Sequence, residues 1–190
     1  MGVCTGLLMA TVLAAGYPQR DVRRDPEFPV VLGTFRKLGA TGAADGQIQV
    51  SYSDSVGTLV DVLVYRVPPV QPSESDSLRL RHVRAAFVAS VHERTRDDRN
   101  ATYEVVVDTA RWVATGSGRI PYSLVVVVST TEAASVVSFA HFFLLGDRYV
   151  RVHLTLPSDV WQTSRAPNFA LDLIRQLYAQ PRDLPPLDGS

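Results

Sequence analysis

The stretch SLVVVVSTTEAASVVSFAHFFLLGDRYVRVHLTL, residues Ser123–Leu156, decides the architecture. Its last segment alternates. Val150, Val152, Leu154 and Leu156 fall on one side of an extended chain, and Tyr149, Arg151, His153 and Thr155 on the other. Successive side chains of a strand point to opposite faces, so this segment is a half-buried strand. SLVVVVS and FAHFFLL do not alternate and are apolar almost throughout. They read as strands covered on both faces, at the centre of a sheet. TTEA and GD are short enough to be hairpin turns. Upstream, ATYEVVVDTARWVA reaches IPYSLVVVVS through TGSG, another hairpin joint. The block is four successive antiparallel strands.

Outward from this block the pattern continues. In QIQVSYS, Ile48, Val50 and Tyr52 share one face, and Gln47, Gln49 and Ser51 the other. DSVG turns the chain into a second strand, TLVDVLVYRV. VVLGTFRKL is the first core signal, and GATGAADGQ reads as a Gly/Asp loop. The prolines of PPVQPSESDS end the strand run, and Ser73, Ser75 and Ser77 are helix N-cap candidates. Leu80, Val83, Phe87 and Val91 then recur at helical spacing, forming one apolar stripe. Asn168 is placed to cap a final helix, FALDLIRQLYAQ, which Pro181 stops.

Strands come in runs rather than alternating with helices. This predicts an α+β fold, an antiparallel sheet of about six strands flanked by helices, and not a doubly wound parallel sheet. The strands are expected near 47–53, 58–67, 103–113, 121–129, 135–145 and 148–156. The helices are expected near 78–95 and 168–179, covering the sheet.

The first residues, MGVCTGLLMATVLAAGYPQR, carry no charge before Arg20. Val3–Ala15 has the length of a signal-peptide apolar region, and Ala14-Ala15-Gly16 offers a cleavage site, although no Lys or Arg follows Met1. The apolar run is too short for a transmembrane helix, so no membrane span is expected. A buried N-terminal element is the alternative reading. Cys4 is the single cysteine, so no disulfide within the chain can form. A lipid anchor on Cys4 would need an apolar stretch before it; only Met1-Gly2-Val3 precedes it, so that reading requires a start further upstream. The expected organisation is a signal peptide at 1–16, a linker at 17–27, one domain at 28–180 and a Pro-rich tail at 181–190. The expected location is outside the cytoplasm: periplasm, cell envelope or extracellular space.

Composition excludes several classes. Hydrophobic residues are 46% of the 190, enough for a sizeable core. The formal net charge is +0, so no global field draws the chain to nucleic acid, and no recognition motif for it is present. The CxxC, HExxH, P-loop and dinucleotide-binding patterns are missing, and Gly116–Gly118 reads as a strand–strand turn rather than a nucleophile elbow. No cofactor, metal or catalytic residue is assigned. His141 and His153 lie on consecutive strands. They face each other only if a bulge shifts the register by one; otherwise His141 faces Val152. Arg79, Arg81, Arg84, Arg94, Arg96 and Arg99 collect positive charge around the first helix. A solvated face is one reading, and a surface for an anionic partner at Arg81 and Arg84 is the other.

From Ile120 to Tyr178, the order of strands, hairpin LLGDRYVRVHLTLP and helix opening at NFALDLIRQL resembles the PsbP/Mog1-like superfamily of exported bacterial proteins. The resemblance implies an α/β/α sandwich on an antiparallel sheet. Its known members mostly act as binding or assembly factors, in photosystem assembly or small-GTPase binding. No residue carries over from it. The expected function is an exported, non-enzymatic binding or assembly domain for an unknown protein or small molecule. One alternative is a hydrolase-like enzyme with a dispersed polar site at Asp61, Asp108, His141 and His153. The other is a structural envelope lipoprotein. A deep pocket joining those polar residues would favour the enzyme, and a shallow, apolar-rimmed face would favour binding.

Overall fold

The computed structural model describes residues 27–42, 47–66, 74–98, 100–116, 118–162, 164 and 166–179. The segment expected to be a signal peptide, with Cys4, the expected linker up to residue 26 and the expected tail at 181–190 lie outside the described residues. Eight strands make one sheet: β1 (Val31–Leu32), β2 (Phe35–Gly42), β3 (Ile48–Ser53), β4 (Leu59–Arg66), β5 (Ala101–Thr115), β6 (Gly118–Thr131), β7 (Ser135–Leu145) and β8 (Arg148–Pro157). Helix α1 (Asp76–Asp97) stands between β4 and β5, and α2 (Phe169–Ala179) follows β8. The order across the sheet is β1-β2-β3-β4-β8-β7-β6-β5, and every pair is antiparallel. The chain thus runs one meander inward, crosses through α1 to the far edge, and returns by a second meander that closes on β4.

The fold class holds, with two strands more than expected. Both additions lie at the first edge. β2 takes in Gly39–Gly42, read from sequence as loop. Gly-rich and without alternation, this segment has no strand signature of its own. Backbone pairing with β3 makes it a strand, with the register slipping between Lys37 and Gly39.

Face membership follows the alternation. Val60, Val62 and Val64 of β4, and Val150, Val152, Leu154 and Leu156 of β8, join α2's Phe169, Leu173, Ile174 and Leu177 in the larger core. Tyr178 donates its hydroxyl to the Leu144 carbonyl, tying that helix to β7. On the opposite face Val125, Val127, Ala140, Phe142 and Leu144 pack under α1, through Leu80 and Val91 with Val83, Phe87 and Val88 beside them. β6 and β7 are covered on both sides, as their unbroken apolar runs require. Ser75 caps α1, its side chain accepting from the Leu78 amide. Asn168 does not cap α2. It belongs to a 3₁₀ turn, Ala166–Asn168, which Ser164 opens by accepting from the Ala166 amide.

The β7–β8 turn settles the histidine register. Leu145 pairs with Arg148 across Gly146-Asp147, and His141 faces Val152. Gly146 has φ +64, and among the described residues no non-glycine has positive φ, as a two-residue turn with glycine in its first central position requires.

Candidate functional site

Helix α1 packs mainly on the β5–β7 half of its face and meets β8 at Tyr149, over whose ring Arg79 lies. The β3–β4–β8 half displays polar side chains, and cross-strand registry sets their neighbours. Ala140, His153, Asp61 and Ser51 form one row across β7, β8, β4 and β3. Ser51 donates its hydroxyl to Asp61 Oδ1 at 2.6 Å, and Gln49 donates to the same oxygen at 3.3 Å. Serine, aspartate and histidine are therefore adjacent, but in the wrong order for a nucleophile relay. A relay needs the imidazole between hydroxyl and carboxylate. Here the carboxylate lies between, and Ser51 and His153 are two strands apart, about 9–10 Å at strand spacing. Burial lowers the His153 pKa, and Arg151 and Arg94 lower it further against the opposing pull of Asp61. The imidazole is thus neutral at pH 7 and offers one N–H donor.

An open depression of ≈ 740 Å³ adjoins this row. Asp61, His153 and Thr155 line it together with Val56, Leu59 and Val160. These three aliphatic residues are 83%, 58% and 41% exposed. Their exposure is the distinctive feature. Val56 sits in the β3–β4 turn, where Asp54 Oδ1 accepts from the amides of both Val56 and Thr58 and holds the loop in shape.

The four dispersed polar residues divide between the two faces. Asp61 and His153 meet at the depression. His141 points into the α2 core, 3% exposed, stacked on Tyr122 at 6.0 Å, with neither ring nitrogen hydrogen-bonded. Burial, aided by Arg111, holds its pKa down at about 4. Asp108 accepts from Arg84 Nε at 2.8 Å. Of the two arginines proposed for an anionic partner, Arg81 is exposed, and Arg84 spends its charge on Asp108. His82 and His92 are both exposed on α1, with His82 3.2 Å from Glu74. Among the described residues no group of three or more His, Cys, Asp or Glu could hold a metal ion.

The Arg84–Asp108 pair is partly solvated, with side chains 20% and 41% exposed. Replacing Arg84 by alanine is expected to lower stability by about 0.2–1 kcal/mol, as such pairs do. A double-mutant cycle with Asp108→Ala in urea measures it. A coupling well above that range would mean the pair anchors α1 to β5.

Sequence reading named Asp61 and His153 but missed Ser51, Gln49, Val56, Leu59 and Val160. One signal was there to be read: a valine in the otherwise polar turn DSVG.

No protein-family profile matches the sequence, and no curated protein matches it. Among solved structures, the solution structure of cyanobacterial PsbP (CyanoP) from Synechocystis sp. PCC 6803 is similar. The two chains are 14% identical, the match covers 73% of this chain and 79% of that one, and the TM-score is 0.48. At this identity and score the likeness says nothing of residues or activity.

Proposed function

We propose that this chain is a non-enzymatic binding domain that works outside the cytoplasm, and that its ligand or partner seats an apolar group in the β4–β8 depression. One observation carries the reading: Val56, Leu59 and Val160, all exposed, border the same open depression. Exposed aliphatic residues gathered around a concavity mark an interaction site, whereas scattered ones need no explanation. The wrong order of Ser51, Asp61 and His153 weighs against the hydrolase alternative. The uncharged apolar run at the N-terminus supports export. No helix among the described residues is long and apolar enough to cross a membrane.

The test is capture from envelope extract of the native host, with the full chain as bait, in parallel with Val56→Asp/Leu59→Asp. Both positions are exposed, so the variant should keep its urea midpoint. The expected result is a partner retained by the wild type and lost by the variant. A partner held equally by both would overturn the assignment of the depression.

A second contact is proposed at Arg81, for an anionic stretch of the same partner; its neighbour Arg84 is already paired with Asp108. Arg81→Glu should weaken capture with little change in melting temperature. Undiminished capture would leave Arg81 as ordinary surface charge.

A further inference from the structure

The sheet ends on two unlike edges. One is β1, a strand of 2 residues, with β2 behind it, whose register slips between Lys37 and Gly39. Short strands and irregular pairing blunt an edge against a second chain. The other edge is β5, the longest strand at 15 residues. Its irregularity is confined to Val105–Val107, and from there Val107–Thr115 pairs with Val126–Gly118 without a break. This run holds no proline and no lysine. Of its two charged residues, Asp108 is held by Arg84. Among the described residues no strand pairs with its outer side.

The hairpin closes on Thr115 and Gly118. A hairpin with two residues between its strands closes on a hydrogen-bonded pair, and bonded and non-bonded pairs alternate from there. Val113, Arg111, Thr109 and Val107 therefore turn their backbone groups to β6. Asp108, Ala110, Trp112 and Ala114 turn theirs outward. Ala110, Trp112 and Ala114 share the α1 side of the sheet, where Val125, opposite Asp108, packs under the helix. The helix leaves all three exposed, and Trp112 is 60% exposed. An indole thus stands in the open between two alanines, on a straight run of backbone with outward donors and acceptors. An open edge of this kind is a template for another strand.

We propose that a second copy of this chain pairs with β5 about a two-fold axis at Trp112. The axis stands perpendicular to the sheet and must pass through one residue position, because only then do facing side chains lie on the same side. Centred on Arg111, two guanidinium groups would face each other, and like charges directly opposite destabilise a strand pair. Centred on Ala110, each indole would meet Asp108, which Arg84 already holds. Centred on Thr109 or Val113, only Val107–Arg111 or Arg111–Thr115 overlaps. Centred on Trp112, the longer run Thr109–Thr115 pairs throughout. Arg111 then faces Val113, Ala110 faces Ala114, and the two indoles meet on the axis with the alanines leaving them room. Each indole brings about 150–250 Å² of contact, and a short strand pair of this kind falls in the class of weak interfaces below about 1,200 Å². The dimer is therefore reversible. Strands β6 and β7 separate this edge from β8, so the depression stays open in both copies.

Sedimentation equilibrium of the full chain, from about 1 μM to about 1 mM, tests the association. The expected result is a monomer–dimer equilibrium within that range. Ala110→Pro removes an outward donor at a position that does not bond β6, where an edge strand tolerates proline. Trp112→Lys places a charge at the centre of the contact. Each should weaken association about tenfold or more, with little change in the urea midpoint at the lowest concentration. Val56→Asp/Leu59→Asp should leave association unchanged, which separates this edge from the depression. Register is read by oxidation of Ala110→Cys mixed with Ala114→Cys, both carrying Cys4→Ser. The mixture should form a disulfide between unlike chains, and neither variant alone should crosslink, because only facing residues come within disulfide reach. A monomer throughout, a dimer that Ala110→Pro and Trp112→Lys leave intact, or crosslinking of either variant with itself would overturn the proposal. So would a monomer that takes up an extended segment of a different protein at β5, which would assign the edge to a foreign strand. Trp112→Lys carries the test should Ala110→Pro fail to fold.

Discussion

Replacing Phe142 by alanine is expected to lower stability by about 3–5 kcal/mol, the range for a fully buried aromatic in a core that cannot collapse around the gap. Phe142 is 2% exposed on β7, beneath α1. Its ring meets Phe87 edge-on, with centroids 5.3 Å apart and planes at 61°. β6 and β8 hold β7 on both sides, so the backbone has little freedom to move in. Phe87 itself is only half-buried, so Phe87→Ala should cost less than Phe142→Ala. The edge-on pair should couple by about 0.5–1.5 kcal/mol in a double-mutant cycle. Urea midpoints at unchanged slope give these values. A loss below about 1 kcal/mol at Phe142 would show that α1 does not pack on the sheet as described.

The second large effect depends on pH. His141 has its pKa lowered from 6.5 to about 4, first by burial and then by Arg111. The unfolded chain therefore binds a proton at this residue before the folded chain does, and stability falls as pH falls. Above about pH 6.5 both states are neutral here and His141 contributes no pH dependence. Between about 6.5 and 4 the penalty grows, and below 4 it levels off at roughly 3 kcal/mol, at 1.36 kcal/mol per pKa unit. His141→Phe should remove that component and relieve two ring nitrogens that have no partner in the core. Urea unfolding of both proteins at pH 7, 5.5 and 4 measures the difference. Parallel losses in wild type and variant would place the acid sensitivity in other groups. Titration of the ring by NMR gives an independent reading.

Much of this protein was legible in local pattern. The alternation of Val150 to Leu156 against Tyr149 to Thr155 assigned every β8 side chain to its face, and the same holds for Ile48, Val50 and Tyr52. The stripe Leu80, Val83, Phe87 and Val91 identified the packed side of α1, and the unbroken apolar runs of β6 and β7 placed them mid-sheet. These signals are readable because side-chain direction repeats every two residues in a strand and every 3.6 in a helix, whatever the rest of the chain does. β2 was not readable, because glycines at an edge become a strand only when a partner lends hydrogen bonds. What tertiary structure alone decided was adjacency. β8 could have ended at an edge; its closure on β4 put His153 opposite Asp61, residues that local periodicity cannot bring together. The crossing of α1 to the far edge set Arg84 against Asp108 and Thr95 against Tyr103, and it left half of one face uncovered. Such pairings depend on which distant strands close on each other to bury the most apolar surface. That is a property of the whole chain and leaves no trace in the spacing of its residues.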